Sequence, residues 1–236
     1  MEITIIHGQA HKGSTYHVTD LLKEKLSNGD TVVHEYFMLK ESDTPSFCTG
    51  CFRCIQKGEQ YCPQADKVQR IAESMLRSEI IIIDSPTYCF EMTGQLKTLF
   101  DHFGYLWMSH RPRKEMFNKI GIVVSTAAGA GGGRVTQSMA KQLSWWGIPK
   151  VYRLKVNVSA ASWDEVKPEI RQKIEERTSS IAGKAKHQTE KRKTNLKNMF
   201  IFTMIRKMQT GNTWNMVDKE HWKNNLWLEN ARPWRG

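Results

Sequence analysis

The stretch Ile80 to Phe103, IIIIDSPTYCFEMTGQLKTLFDHF, constrains the fold of this chain more than any other. Ile80 to Ile83 form a β-branched run that is too short for a helix and apolar on both sides of its alternation. Such a run fits a strand covered on both faces, the usual state of strands in parallel sheets whose crossovers place helices on each side. Ser85-Pro86-Thr87-Tyr88 then ends the strand, and Gln95 to Phe103 carries apolar residues at helical spacing. In an open parallel sheet, ligands bind in the crevice beyond the carboxyl ends of the strands. Ser85 to Phe90 occupy that position.

The same alternation runs through most of the chain. Ile3 to His7 is a short apolar strand, Gly8 to Ser14 a glycine-bearing loop, and Val18, Leu21, Leu22 and Leu26 share one face of a helix. Asn28-Gly29-Asp30 turns into a second strand, Thr31 to Phe37, and Asp66 to Leu76 has helical spacing directly before the isoleucine strand. Lys119 to Ser125 reads as a fourth strand, Thr126 to Gly133 as a glycine-rich loop, Val135 to Trp145 as a helix and Val151 to Val158 as a fifth strand, with a long helix from Ser162. Five strand–helix alternations predict an α/β fold, a doubly wound five-stranded parallel sheet with helices on both faces and right-handed crossovers. The alternation stops near Gln188. Residues 1–187 are therefore read as one domain and 188–236 as a basic, Trp-rich helical C-terminal extension.

The formal charge of +11 points to nucleic acid or an anionic surface until it is located. Gly183 to Lys207 holds eight cations, Lys184, Lys186, Lys191, Arg192, Lys193, Lys197, Arg206 and Lys207, against Glu190 alone, which leaves the remainder only mildly basic. That run has no interleaved aromatic spacing and no reader motif, so a solvated face is expected and nucleic acid is not. Five cysteines, no secretory segment after Met1 and no apolar run of 18 residues predict a cytoplasmic protein of a reducing compartment, without disulfides.

In a doubly wound sheet the loops after the first, third and fourth strands lie side by side at one edge. Gly8-Gln9-Ala10-His11-Lys12-Gly13-Ser14-Thr15 offers backbone N–H groups at a helix start, two hydroxyls and nearby positive charge, the makings of a phosphate site. A plain helix cap by Ser14 is the structural alternative. The loop lacks the endings of a Walker A loop and of G-x-G-x-x-G, which favours a single phosphate over ATP or a classical dinucleotide. Pro86-Thr87-Tyr88-Cys89-Phe90 joins a rigid proline, an aromatic pair and free amides suited to a flat heteroaromatic ring. Thr126-Ala127-Ala128-Gly129 and the glycines after it allow close backbone approach.

Together these loops resemble the flavodoxin-like NADPH-dependent FMN reductases over roughly residues 2 to 158. The resemblance is carried by His7-Gly8 with Gly13-Ser14-Thr15, by Ser85-Pro86-Thr87-Tyr88, by Thr93-Gly94-Gln95-Leu96-Lys97 with Asp101, and by Thr126-Ala127-Ala128-Gly129. It implies an FMN phosphate on His11, Gly13, Ser14 and Thr15, and an isoalloxazine ring against Pro86, Thr87, Tyr88, Cys89 and Phe90 and against Thr126, Ala127, Ala128 and Gly129. It also implies a nicotinamide, NADH or NADPH, as cosubstrate and a homodimer or higher homo-oligomer. Where the family often has a serine and an arginine in the first loop, this chain has Gln9 and His11, so phosphate binding is expected to draw on Lys12 or a protonated His11.

Cys48-Thr49-Gly50-Cys51-Phe52-Arg53-Cys54, with Cys62-Pro63 after seven further residues, has the compact spacing of thiolates that hold iron–sulfur clusters. Zinc, whose ligand pairs are usually more widely separated, ranks lower. The segment is similar to the cysteine motif of iron–sulfur flavoproteins, which implies a [4Fe-4S] cluster near FMN. Relatives that keep such a segment without a cluster leave the other reading open. Cys89 lies outside the motif and is expected to pack beside the ring.

Leu196 to Met208 is apolar around much of a helix and flanked by Lys and Arg, and Trp214, Trp222, Trp227 and Trp234 crowd the final stretch. Thirteen residues are too few to span a bilayer. Docking on the domain or on a second subunit is preferred over lying on a membrane surface. His110, Arg111 and Arg113 are candidates to meet a nicotinamide phosphate or the flavin edge, with surface solvation as the default reading. The functional expectation is an FMN-dependent NAD(P)H oxidoreductase that passes hydride to bound FMN and then electrons to an acceptor, with no side chain needed as acid or base. The alternative is a non-enzymatic electron carrier holding FMN and a [4Fe-4S] cluster.

Overall fold

A computed structural model describes residues 1–191 and 195–235, the side chains of Glu190 and Lys191 excepted. Arg192 and Lys193 of the basic run, and the side chain of Lys191, thus lie outside the described residues. The elements run β1 (Glu2–His7), α1 (Ser14–Leu26), β2 (Val32–Phe37), α2 (Arg53–Gln56), α3 (Ala65–Arg77), β3 (Ile80–Asp84), α4 (Gly94–His102), β4 (Ile120–Ala127), α5 (Gly132–Trp145), β5 (Lys150–Asn157), α6 (Pro168–Lys191), α7 (Leu196–Thr210) and α8 (Met216–Asn224). All five strands are parallel, in the order β2-β1-β3-β4-β5. This is the doubly wound, flavodoxin-like order with its switch point between β1 and β3.

The isoleucine run does what its composition predicts. Ile81 and Ile83 enter the core beneath α3, α4 and α5, while Ile80 and Ile82 enter the opposite core beneath α1 and α6. Side chains alternate across a strand, so a central strand needs apolar residues at every position. Register places Ile80 beside Ile3 and Ile120, and Asp84 beside His7 and Val124. The carboxyl ends of β1 and β3 therefore stand level, β4 runs on past Val124 to Ala127, and the three loops emerge at one edge of the sheet.

Two boundaries differ from the sequence expectation by three residues or more. The long helix begins at Pro168 rather than Ser162, because residues 163–166 close a turn through the Val166 N–H to the Trp163 carbonyl and proline suits a first helical turn. Likewise α5 starts at Gly132, inside the expected glycine loop, with Gly131 at φ +100° as its N-cap. An added Cβ at Gly131 would sit 2.7 Å from the Thr87 methyl, so that glycine is also where the third-strand and fourth-strand loops touch.

The C-terminal segment docks on the α/β unit. Phe202, Ile205, Trp222 and Trp227 form a third core with Met108 and Phe117, joined by half-buried Trp145 and Trp234. Trp214 stays exposed. Among the described residues, no helix is long and apolar enough to cross a membrane.

Candidate functional site

Between the three loops lies a cleft of about 250 Å³. His11, Gly13, Ser14 and Thr15 line one side, Pro86, Thr87 and Tyr88 a second, and Thr126, Ala127 and Ala128 the third. The loops are tied to one another beneath it. Thr15 Oγ1 and Thr126 Oγ1 share a buried hydrogen bond of 2.7 Å, and Thr87 Oγ1 lies 3.1 Å from Ser125 Oγ. Thr93 Oγ1 donates to the Gly8 carbonyl at 2.6 Å, and the Thr93 N–H donates to Ser85 Oγ at 3.0 Å. Buried hydroxyl pairs of this kind fix loop positions because an unmatched partner would carry the full cost of desolvation.

The first loop is built to receive an anion. The N-cap of α1 is Gly13, not Ser14, with no side-chain cap and no acidic residue in the first turn, so the helix presents its free N–H groups and positive dipole end to the cleft. This removes the plain-cap alternative for Ser14. At the floor, the Asp84 carboxylate, itself part of the lining, accepts from His7 Nδ1 at 2.6 Å, both side chains being buried. His7 stacks on Phe37 at 4.4 Å. The donor set, small Ala127 and Ala128, and the flat flanks of Pro86 and Tyr88 fit a phosphorylated ligand with a planar ring.

Three predicted residues stand apart from this lining. Cys89 and Phe90 occupy left-handed conformations, φ 50° and 64°, at the tip of a tight turn closed by reciprocal backbone bonds between Tyr88 and Glu91. Both are exposed, since positive φ at the two central positions reverses the chain within two residues. Gly129 lines an adjacent groove with Lys155 and Arg177. Conversely Gln9, Tyr16, Asp84, Val158, Ala160 and Ala161 line the cleft without having been singled out. Asp84 had a signal in the sequence, a charged residue ending an otherwise apolar buried strand. The others depend on tertiary placement.

Cys48 and Cys51 are exposed in coil, Cys54 opens α2 half-buried, and Cys62 is half-buried beyond it. The four thiols share one neighbourhood. Burial first, then the charges of Cys62, Cys48 and Cys51, push the Cys54 thiol up. Cys62 Sγ lies 3.6 Å from His102 Nδ1, whose Nε2–H donates to the Ser46 carbonyl at 2.8 Å. Cys51 is shifted down, chiefly by a backbone hydrogen bond from Arg53. The donors suit a thiolate-held group in chemistry. Among the described residues, however, no set of three or more His, Cys, Asp or Glu is arranged to hold a metal ion, so the cage implied by the motif is not closed.

Arg111 and Arg113 are not free for a nicotinamide phosphate. Arg111 is 4 % exposed and donates to the Cys54 and Ile55 carbonyls, to Glu59 at 3.2 Å and to Asp218 of α8. Arg113 pairs with Glu59 at 2.5 Å, and His110 Nδ1 donates to Asp218 at 2.7 Å. Together these groups join the cysteine segment to the C-terminal helices. Burial works to raise the Glu59 pKa, but backbone N–H donation and the charges of Arg113 and Arg111 outweigh it and hold the carboxyl below its ordinary 4.5. A depressed folded value means that its stabilisation is fully present above the unfolded value and is lost as pH falls through the folded one. Glu59→Gln is expected to lower the urea midpoint at neutral pH and to flatten its decline below pH ~4.5; a variant with the wild-type acid limb would show that Glu59 does not carry it.

The family model described as NADPH-dependent FMN reductase matches residues 1–162. The chain is 31% identical over 140 residues to an iron-sulfur flavoprotein of Archaeoglobus fulgidus, covering 59% of this chain and 60% of that one. It is 38% identical over 103 residues to an iron-sulfur flavoprotein of Clostridioides difficile, covering 43% and 45%. It thus spans about half to three-fifths of the length of these relatives. A solved FMN-dependent NADH-azoreductase from Bacillus anthracis, in complex with FMN, superposes with a TM-score of 0.58 at 12% identity, covering 77% of this chain and all of that one, a likeness of fold.

Proposed function

The chain belongs to the NADPH-dependent FMN reductase family, and from that membership we propose that it is an FMN-dependent oxidoreductase taking hydride from NADH or NADPH and delivering electrons to an acceptor. One observation carries this reading: the uncapped start of α1, the Pro86–Tyr88 turn and Ala127–Ala128 converge on one cleft, held together by the Thr15–Thr126 hydrogen bond. The free N–H groups of Gly13, Ser14 and Thr15 and the Ser14 and Thr15 hydroxyls bind the phosphate, with His11 and Lys12 adding positive charge. Pro86, Thr87 and Tyr88 hold one side of the ring, and the backbone of Thr126 to Ala128 the other. Bound FMN supplies the hydride and electron chemistry. The protein supplies position and exclusion of water, and no side chain is assigned as acid or base.

A second reading is favoured by the gathering of Cys48, Cys51, Cys54 and Cys62 in one segment and by the relatives named iron-sulfur flavoproteins. These four thiolates would hold a [4Fe-4S] cluster and supply one-electron transfer beside the flavin. Because Cys48 and Cys51 sit in exposed coil, loading requires that segment to close over the cluster. Anaerobic purification followed by a visible spectrum, released-flavin analysis, and iron and labile-sulfide assays tests both readings. Bound FMN reduced by NADPH, with no iron, gives the reductase alone. FMN with about four irons per chain adds the cluster. No bound flavin and no uptake of added FMN sinks the whole proposal.

A further inference from the structure

Helix α7 is docked by one face and bare on the other. At about 100° per residue, Asn198, Phe202, Ile205 and Gln209 share the arc buried against the domain. The opposite arc carries Leu196, Phe200, Met204 and Met208, four residues apart and exposed by 83, 66, 51 and 65 %. Lys197 and Lys207 fall on that same exposed arc, and Trp214 and Met216 extend the apolar surface past the helix end. From Lys191 to Val217 the sequence contains six Lys or Arg and neither Asp nor Glu.

Beside the stripe, between α5 and α7, runs a groove of about 560 Å³ lined by Lys141, Arg153 and Lys197 with Trp145 and Ile201 and, among the described residues, by no carboxylate. Among the described residues, the Arg153 guanidinium donates to neutral acceptors, the Gly133 carbonyl at 2.6 Å and Thr136 Oγ1 at 3.2 Å. The groove is therefore cationic and uncompensated.

We propose that this face docks on an anionic lipid surface, with the stripe in the headgroup–acyl boundary and the groove receiving lipid phosphates. A helix of this length cannot span a bilayer but is suited to lie in its plane, where Lys side chains on the apolar face reach up to the headgroups. A second copy is the weaker occupant, because a two-fold contact would set an acid-free cationic face against itself. A polynucleotide would use the cations but leave Leu196, Phe200 and Met208 without partners. Docking on the domain is met by one face of this helix, and the membrane alternative is proposed for the other.

Co-sedimentation of the full chain with vesicles of phosphatidylcholine alone, and of phosphatidylcholine and phosphatidylglycerol in equal parts, tests the proposal. Binding is expected only to the mixed vesicles and to weaken as salt rises. Lys141→Gln and Lys197→Gln should each lower partitioning by roughly fivefold. The pair Phe200→Glu with Met204→Glu should lower it roughly a hundredfold or more, with FMN affinity unchanged as the control for folding. Absence of binding to mixed vesicles, or equal binding to both kinds, overturns the proposal. So does a dimer without vesicle binding that the Phe200/Met204 pair breaks, which would assign the face to a second copy.

Discussion

Replacing Asp218 by alanine is expected to cost the folded protein about 3 kcal/mol, measured from the urea midpoint at unchanged slope. Asp218 is 1 % exposed and accepts from both Arg111 and His110. Losing one partner of a buried pair typically costs about 3–5 kcal/mol, since the remaining charge keeps its desolvation penalty and loses its compensation. Glu59 remains 3.2 Å from Arg111, which puts the expectation at the lower end of that range. The loss should also loosen the cysteine segment, because Arg111 and Asn215 hold the carbonyls at Cys54 and Ile55. Faster reaction of Cys54 with a thiol reagent, with unaltered FMN affinity, is the expected signature. Exposed Glu220 is the control, and Glu220→Ala should stay within about 0.5 kcal/mol. A loss below about 1 kcal/mol at Asp218 would mean that the ion pair contributes little and that tail docking rests on Phe202 and Trp222 alone.

Ser14→Asp is expected to weaken FMN binding by about a hundredfold, near 2.7 kcal/mol, read by quenching of flavin fluorescence on titration. Ser14 opens α1, whose N–H groups are uncapped, and a carboxylate there would occupy the anion position and repel the phosphate. Riboflavin separates this effect from general damage. Lacking the phosphate, its affinity should change by less than about threefold. Equal losses for FMN and riboflavin would place the phosphate elsewhere, while an unchanged affinity for FMN would remove the first loop from the site.

Much of the site was legible because its signals are local. An isoleucine run that must be covered on both faces, a proline-bearing turn after it and glycines at two helix starts are short-range features. Register then aligned the strand ends that carry them. Cys89 lies outside the cleft lining for a reason that residue types do not encode. Two consecutive left-handed residues turn the tip outward, although neither is glycine. Arg111 was misread because a basic residue in a polar loop has the same local pattern whether it meets solvent, a phosphate or a buried carboxylate. Its partner, Asp218, lies 107 positions away.

The sequence by itself determined the parallel sheet, the three adjoining loops and the family, because strand burial and turn chemistry are written in neighbouring residues. Only the tertiary structure decided which residues line the cleft, that Arg111 and Asp218 bind the C-terminal helices to the cysteine segment, and that α7 buries one face while exposing an apolar one. Those outcomes depend on desolvation and packing between segments far apart in the chain. Local periodicity reports that a side chain is apolar or charged, and not what covers it.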